Sequence, residues 1–325
     1  MIKNRELHYS TLAEIKLFQE ARLKETLEYI AKHSPFYKRM FIENNIDISN
    51  INTIEDLRKI PTTSKNDLQS YNADFLCVLG TTAETPTLTA EEQLKVREAI
   101  IKRNAGRLPI LLGCGGNCTQ HIIDTLKNDS MEGVDAILSV VPYYNKPSQQ
   151  GMYAHFKAIA DATELPIVLY NVPGRTGVNM LPDTTLRLAA DCSNIIGIKE
   201  ASGNIEQINE IISRRPAGFK VFSGDDGITL PLIKSGADGV ISVIGNGFAN
   251  EFAQMVHLAS VGEVDKAHEI DATLTPLYSL LFVDGNPAGI KALMNLQGRV
   301  ENVLRLPLVP ASDATVEKIR VAMVM

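Results

Sequence analysis

Residues 195–199 read Ile-Ile-Gly-Ile-Lys, and residues 167–171 read Ile-Val-Leu-Tyr-Asn. Each is a short, β-branched run that ends on a polar side chain. A strand apolar on both faces is covered on both sides, which is the habit of parallel sheets. Similar runs occur at 75–79, 109–113, 136–141, 220–223 and 239–243, and each is followed by a stretch of helical periodicity. That alternation predicts an α/β fold with a parallel sheet. The seven runs are one short of a closed barrel's eight. A doubly wound open sheet competes on strand count. Its dinucleotide fingerprint is absent, because Leu79-Gly80-Thr81-Thr82-Ala83 has one glycine where that loop needs two or three.

The chain is 325 residues long, and none of its 22 glycines precedes Gly80. Upstream of that point the pattern is helical. Leu12, Ile15, Phe18, Leu23, Leu27 and Ile30 share one face of a helix predicted over 11–33, with Thr11 and Glu14 as a capping box. Ser34-Pro35 breaks it, a short second helix runs to about 41, and further helices start at 53–56 and 64–67. Three segments are expected: a helical one over 1–75, a catalytic (β/α) barrel over 76–261, and C-terminal helices over 262–325. The chain is 45% hydrophobic and 22% charged, enough for a substantial core. A net charge of −6 without a basic run makes nucleic acid and anionic membrane poor partners. There is no apolar run of membrane-spanning length and no signal-peptide core in MIKNRELHYS, so the cytosol is the expected compartment.

Four cysteines make no disulfide framework in a chain this long. Cys114, Cys118 and His121 are close in sequence, but a zinc site needs a further ligand or an open position, and no matching pair lies nearby. Buried thiols are the better reading, and no metal is expected.

In barrels of this kind the chemistry sits at the C-terminal ends of the strands. Those ends carry Thr81 and Thr82, Tyr143 and Tyr144, Tyr170, Lys199, Gly224-Asp225-Asp226, and Ile241. Lys199 has two readings. Burial favours an uncharged amine, a nucleophile toward carbonyls. Alternatively it pairs with Glu200 or reaches solvent. Tyr170, one strand over, is either a proton carrier or a core tyrosine with its hydroxyl at the rim. Thr81 and Thr82 either help bind a small carboxylate at a helix N-terminus or simply cap that helix. Arg175 either clamps a carboxylate or lies at the surface. Asp225-Asp226 is expected to cap the next helix.

Several stretches, in order, resemble the dihydrodipicolinate synthase family. They are Gly80-Thr-Thr-Ala-Glu-Thr-Pro-Thr-Leu, Pro142-Tyr-Tyr-Asn-Lys-Pro-Ser-Gln, Tyr170-Asn-Val-Pro-Gly-Arg-Thr-Gly, Ile195-Ile-Gly-Ile-Lys-Glu-Ala and Phe222-Ser-Gly-Asp-Asp. The resemblance implies a TIM-type (β/α)₈ barrel with a C-terminal helical domain, and a lyase of the class I aldolase type. It implies a pyruvate Schiff base on Lys199 and no other cofactor. It gives Tyr170, Thr81 and Tyr144 as the proton relay, with Tyr144 entering a neighbouring subunit's site in a dimer or tetramer. Thr82 would take the pyruvate carboxylate and Arg175 that of aspartate semialdehyde, while Gly224 and Ile241 would line the pocket. The product would feed lysine and diaminopimelate synthesis. Asn117 and Tyr143 match part of the family's lysine-feedback site. Ala90, Gln93 and His121 depart from the rest of it, so feedback inhibition is not expected.

The family opens with a strand and helix that are not found here. Residues 1–75 instead resemble the start of phenylacetate–CoA ligase-like adenylate-forming enzymes, through His33-Ser-Pro-Phe-Tyr-Lys-Arg and Thr53-Ile-Glu-Asp-Leu-Arg-Lys-Ile-Pro. The expected molecule is therefore a chimera: a barrel lacking its first βα unit behind a foreign helical segment. A sialic acid lyase-like aldolase, an inactive chimera and, more distantly, a CoA ligase are the rival readings.

Overall fold

The structure, a computed structural model, describes residues 11–33, 37, 40–42, 45–60 and 73–323. The chain divides into two compact units, 1–71 and 72–325.

In the first unit, α1 (Leu12–His33) begins at the expected capping box. The Thr11 N–H donates to Glu14 Oε2 at 2.7 Å, and the Glu14 N–H donates back to Thr11 Oγ1 at 3.3 Å. Leu27 is buried among Met40, Phe41 and Ile51, with Leu23 and Ile30 packed alongside. The helix expected from 53 is instead a 3₁₀ segment, Glu55–Lys59. Thr53 and Asp56 explain its tight start: Asp56 Oδ2 accepts from the Thr53 N–H and hydroxyl, each at 2.9 Å. The break at Ser34-Pro35 and the helix expected at 64–67 lie outside the described residues.

The second unit carries the sheet. Its strands are β1 (Leu76–Val78), β2 (Ile110–Gly113), β3 (Ala136–Val140), β4 (Ile167–Asn171), β5 (Ile195–Glu200), β6 (Lys220–Ser223) and β7 (Gly239–Val240). They pair in sequence order, every pair parallel. Among the described residues no pairing joins β7 back to β1. The sheet nonetheless curls, since Phe75 at the foot of β1 meets Phe222 of β6 edge to face at 5.8 Å.

Helices α2 (Ala90–Asn104), α3 (Thr119–Asn128), α4 (Gln149–Ala160), α5 (Pro182–Asp191) and α6 (Ile205–Arg214) follow β1 to β5 in turn. The outward side chains of the strands pack against these helices in one continuous core that includes Ile137, Phe156, Ile167, Leu188 and Ile208. The inward ones, among them Leu111, Leu138, Val168, Tyr170 and Ile241, form a smaller cluster inside the curl. The remaining helices longer than one turn are α7 (Thr229–Lys234), α8 (Ala249–Ser260), α9 (Val264–Leu280), α10 (Ala288–Leu296) and α11 (Asp313–Ala322). They share a second core around Phe252, Leu277 and Leu293. No helix among the described residues is long and apolar enough to cross a membrane.

His155 on α4 is buried, with Nδ1 2.8 Å from Thr119 Oγ1, and burial holds its imidazole down to about 4. A lowered folded value means that the unfolded chain binds the proton first. Stability is therefore fully present above about pH 6.5 and is lost as pH falls toward 4, by up to about 3 kcal/mol. Urea unfolding at pH 7 and pH 4.5 checks this, with His155→Gln expected to remove that part of the difference.

Candidate active site

Alternation along β5 decides which way its last two side chains point. Lys199 faces the interior of the curl and is 9% exposed, while Glu200 faces the helices and is fully buried. Lys199 is paired in register with Tyr170 on β4, and its Nζ lies 4.4 Å from the centre of that tyrosine's ring. The alternative in which Lys199 pairs with Glu200 is not what the structure shows, because the two side chains leave opposite faces of the strand.

Gly224, just past β6, closes the other flank of Lys199. A Cβ at Gly224 would stand 3.1 Å from Lys199 Cε and 2.5 Å from Ala201 Cβ. Glycine is needed there because backbone and lysine stem approach too closely for any side chain. Ile241 joins Tyr170 and Leu138 in the interior cluster. Cys77 of β1 also packs there, and burial pushes its thiol up.

Thr81 and Thr82 do not open an α-helix. They form a 3₁₀ turn, Thr81–Ala83, while α2 starts later, with Thr89 and Glu92 as its capping box. The Thr82 hydroxyl is instead held by Asn286, whose Nδ2 donates to it at 3.0 Å. The main-chain carbonyl of the same asparagine accepts from Arg175 Nη2 at 3.3 Å. Arg175 sits on a one-turn helix, Pro173–Thr176, directly beyond β4. Asn286 thus ties together the two residues expected to hold carboxylates. A cavity of about 230 Å³ adjoins this point, lined by Thr82, Glu84, Pro287 and Lys291 among others. Replacing Asn286 with Ala frees the Thr82 hydroxyl, while the main-chain carbonyl that receives Arg175 remains. A severalfold weaker hold on the one carboxylate that Thr82 is expected to bind should follow, since a neutral hydrogen bond contributes about 0.5–1.5 kcal/mol. Steady-state KM values measure it, and values all unchanged would remove Asn286 from the site.

The other expected residues stand apart. Tyr144 is 88% exposed on a backbone with φ of 72°, a left-handed conformation uncommon for a tyrosine. Tyr143 is also exposed, and its carbonyl accepts from Asn117 Nδ2 at 3.3 Å. Cys118 is exposed, whereas burial pushes the Cys114 thiol up to about 11. Among the described residues no group of three His, Cys, Asp or Glu gathers as metal ligands would.

Asp225 and Asp226 divide their work. Asp225 caps a short 3₁₀ turn by accepting from the Gly227 N–H at 3.0 Å. Asp226 is buried and accepts from the N–H groups of Val243 at 3.1 Å and Ile244 at 2.8 Å, pinning the loop after β7. Sequence reasoning missed this second role, and it missed Asn286 as well. The only local signal for Asn286 was an Asn-Pro dipeptide, which reads as a helix break.

A buried lysine ending a parallel strand, with a tyrosine beside it and a glycine against its stem, is the arrangement of a Schiff-base lyase on a barrel scaffold. Residues 65–324 match the Dihydrodipicolinate synthetase family, and the chain belongs to that family. The 4-hydroxy-tetrahydrodipicolinate synthase of Phocaeicola vulgatus is 64% identical over 255 residues, covering 78% of this chain and 86% of the relative. The enzyme of that name from Parabacteroides distasonis is 62% identical with the same coverage. The crystal structure of the dihydrodipicolinate synthase of Thermotoga maritima matches with a TM-score of 0.74 at 44% identity, over 76% of this chain and 85% of that one.

Proposed function

We propose that this chain condenses pyruvate with aspartate semialdehyde, the reaction of 4-hydroxy-tetrahydrodipicolinate synthases, in the route to diaminopimelate and lysine. The carrying observation is the buried amine of Lys199 lying against Tyr170. In this reading the Lys199 amine attacks the ketone carbon of pyruvate, and water leaves to give an imine. Loss of a methyl proton gives an enamine, whose carbon attacks the aldehyde of the second substrate. The amino group of that substrate then displaces Lys199 and closes the ring. Tyr170, Thr81 and Tyr144 carry protons to and from the intermediates. Thr82 holds the pyruvate carboxylate, Arg175 holds that of aspartate semialdehyde, and Gly224 and Ile241 shape the pocket. No further cofactor enters.

The exposure and backbone strain of Tyr144 support its reaching into a second copy's site, in a dimer or tetramer. Asn117 and Tyr143 are the remnant of a lysine-binding site. The cytosol is the compartment where this reaction is placed. Residues 1–75 are read as a ligase-like helical fragment that precedes the barrel along the chain in place of the family's first strand and helix, with the barrel over 76–261 and the C-terminal helices over 262–325. The seven-stranded order without a β7–β1 pairing supports that reading of the barrel. It also favours the second reading, an inactive chimera, because an unpaired rim costs backbone hydrogen bonds.

Two measurements separate the readings. Borohydride reduction in the presence of labelled pyruvate should fix label on the chain, and turnover should be seen with aspartate semialdehyde but not with sialic acid. Neither label nor turnover in a folded chain would favour the inactive chimera, and turnover of sialic acid would make the chain an aldolase of the other kind.

A further inference from the structure

Glu200 is adjacent to Lys199, yet nothing in the reaction above uses it. It is fully buried on the helix side of β5, where the partners of its carboxyl are uncharged amides and a backbone N–H. Burial pushes its carboxyl up, against the hydrogen bonds it accepts. An unpaired buried carboxyl is expensive unless its oxygens are satisfied. Here three donors meet them. Oε1 accepts from the Ser202 N–H at 2.8 Å, and Oε2 accepts from Asn171 Nδ2 at 3.0 Å and Gln207 Nε2 at 3.2 Å.

The donors cannot turn round. Asn171 Oδ1 is occupied by the Met180 N–H at 3.0 Å, which fixes that amide with its nitrogen toward Glu200. Gln207 Oε1 is occupied by Asn179 Nδ2 at 2.8 Å, which fixes the second amide likewise. The cluster therefore presents donors only, and it needs a residue with two accepting oxygens at position 200.

The same residues frame the lysine. The Glu200 carbonyl accepts from the Gly224 N–H at 2.8 Å, and the Ala201 N–H donates to the Asn171 carbonyl at 2.8 Å. Gly224 in turn lies against the Lys199 stem, with Ala201 packed on the same glycine. We propose that Glu200 is a positioning residue: its carboxylate, locked by Asn171, Ser202 and Gln207, fixes the 200–202 turn and so holds the Lys199 amine at the angle pyruvate requires. This rests on the Schiff-base reading of Lys199.

The test uses the full chain and pyruvate, with borohydride trapping as the readout. Glu200→Gln keeps the shape but sets an NH₂ against fixed donors. The trapping rate is expected to fall at least tenfold, with the pyruvate concentration for half-maximal trapping changed less than threefold. Gln207→Met, which removes one donor and leaves Glu200 in place, is expected to slow trapping severalfold with its melting temperature near that of the parent. It serves if the first variant does not fold. Trapping at the parental rate in a folded Glu200→Gln, or in Gln207→Met, overturns the positioning role. No trapping in the parent chain overturns the Schiff-base reading and the proposal with it.

Discussion

Lys199→Arg should leave a folded protein that takes no label from pyruvate under borohydride. Guanidinium keeps most of the stem, so packing against Tyr170 survives. It is not deprotonated in proteins and cannot attack a ketone. Where the covalent step is the route, removing the nucleophile costs on the order of 10⁴-fold or more in turnover. Intact mass after reduction reads the adduct, and the coupled turnover assay reads the rate. Label in the Arg variant equal to that in the parent would move the chemistry to another lysine. The buried position makes the prediction specific, because the exposed lysines of the chain have no wall to exclude water or orient the ketone.

The second large effect comes from a residue with no functional group. Gly113 ends β2 beside the exit of β1, and a Cβ there would lie 2.0 Å from the Leu79 carbonyl oxygen and 2.7 Å from its carbon. Those are backbone atoms, so no rotamer change relieves the overlap. Leu79 already sits at φ 56°, at the hinge from which Gly80, Thr81 and Thr82 continue. Gly113→Ala must push that turn outward. A stability loss of about 1–3 kcal/mol is expected. On the proposed roles of Thr81 and Thr82, a fall of about 100-fold in turnover should accompany it, since a displacement of about an ångström at a substrate-positioning group has that effect. Gly116→Ala is the matched control, because a Cβ there meets nothing closer than Ile122 at 4.0 Å. If both variants melt and turn over alike, β1 and β2 are not spaced as tightly as this contact requires.

Much of this was legible in the chain itself, for a physical reason. Parallel strands buried on both faces leave continuous apolar runs, and every one of the seven runs holds a strand of the sheet. Polar strand ends stand out against such runs, which is why Lys199 and Tyr170 could be picked and why they meet across β4 and β5. Contacts made across long sequence separation left no such mark. Asn286 reaches Thr82 over 204 residues, and no local pattern encodes a partner that far away. Pairing of Lys199 with Glu200, one of the readings the sequence leaves open, rests on adjacency in the chain, and strand alternation forbids it. The turn at Thr81 looked like a helix start because Gly-Thr-Thr is good capping chemistry. The capping box eight residues later, Thr89 with Glu92, won instead, since it satisfies two helix donors reciprocally. In the first unit, the tight grip of Asp56 on Thr53 favoured a 3₁₀ turn over the expected helix.

The strand order has a bearing on robustness. In a row running β1 to β7, β4 is the middle stave, with three neighbours on each side, and β5 stands next to it. Tyr170 and Lys199 therefore occupy the part of the wall farthest from either open rim. Fraying that begins at β1 or β7 must cross at least one intact stave before it reaches the amine. The turns carrying Thr81 and Thr82 belong to the outermost stave and have no such buffer. Damage at an edge should therefore reach the Thr81–Thr82 turn well before it disturbs the packing of Lys199 against Tyr170.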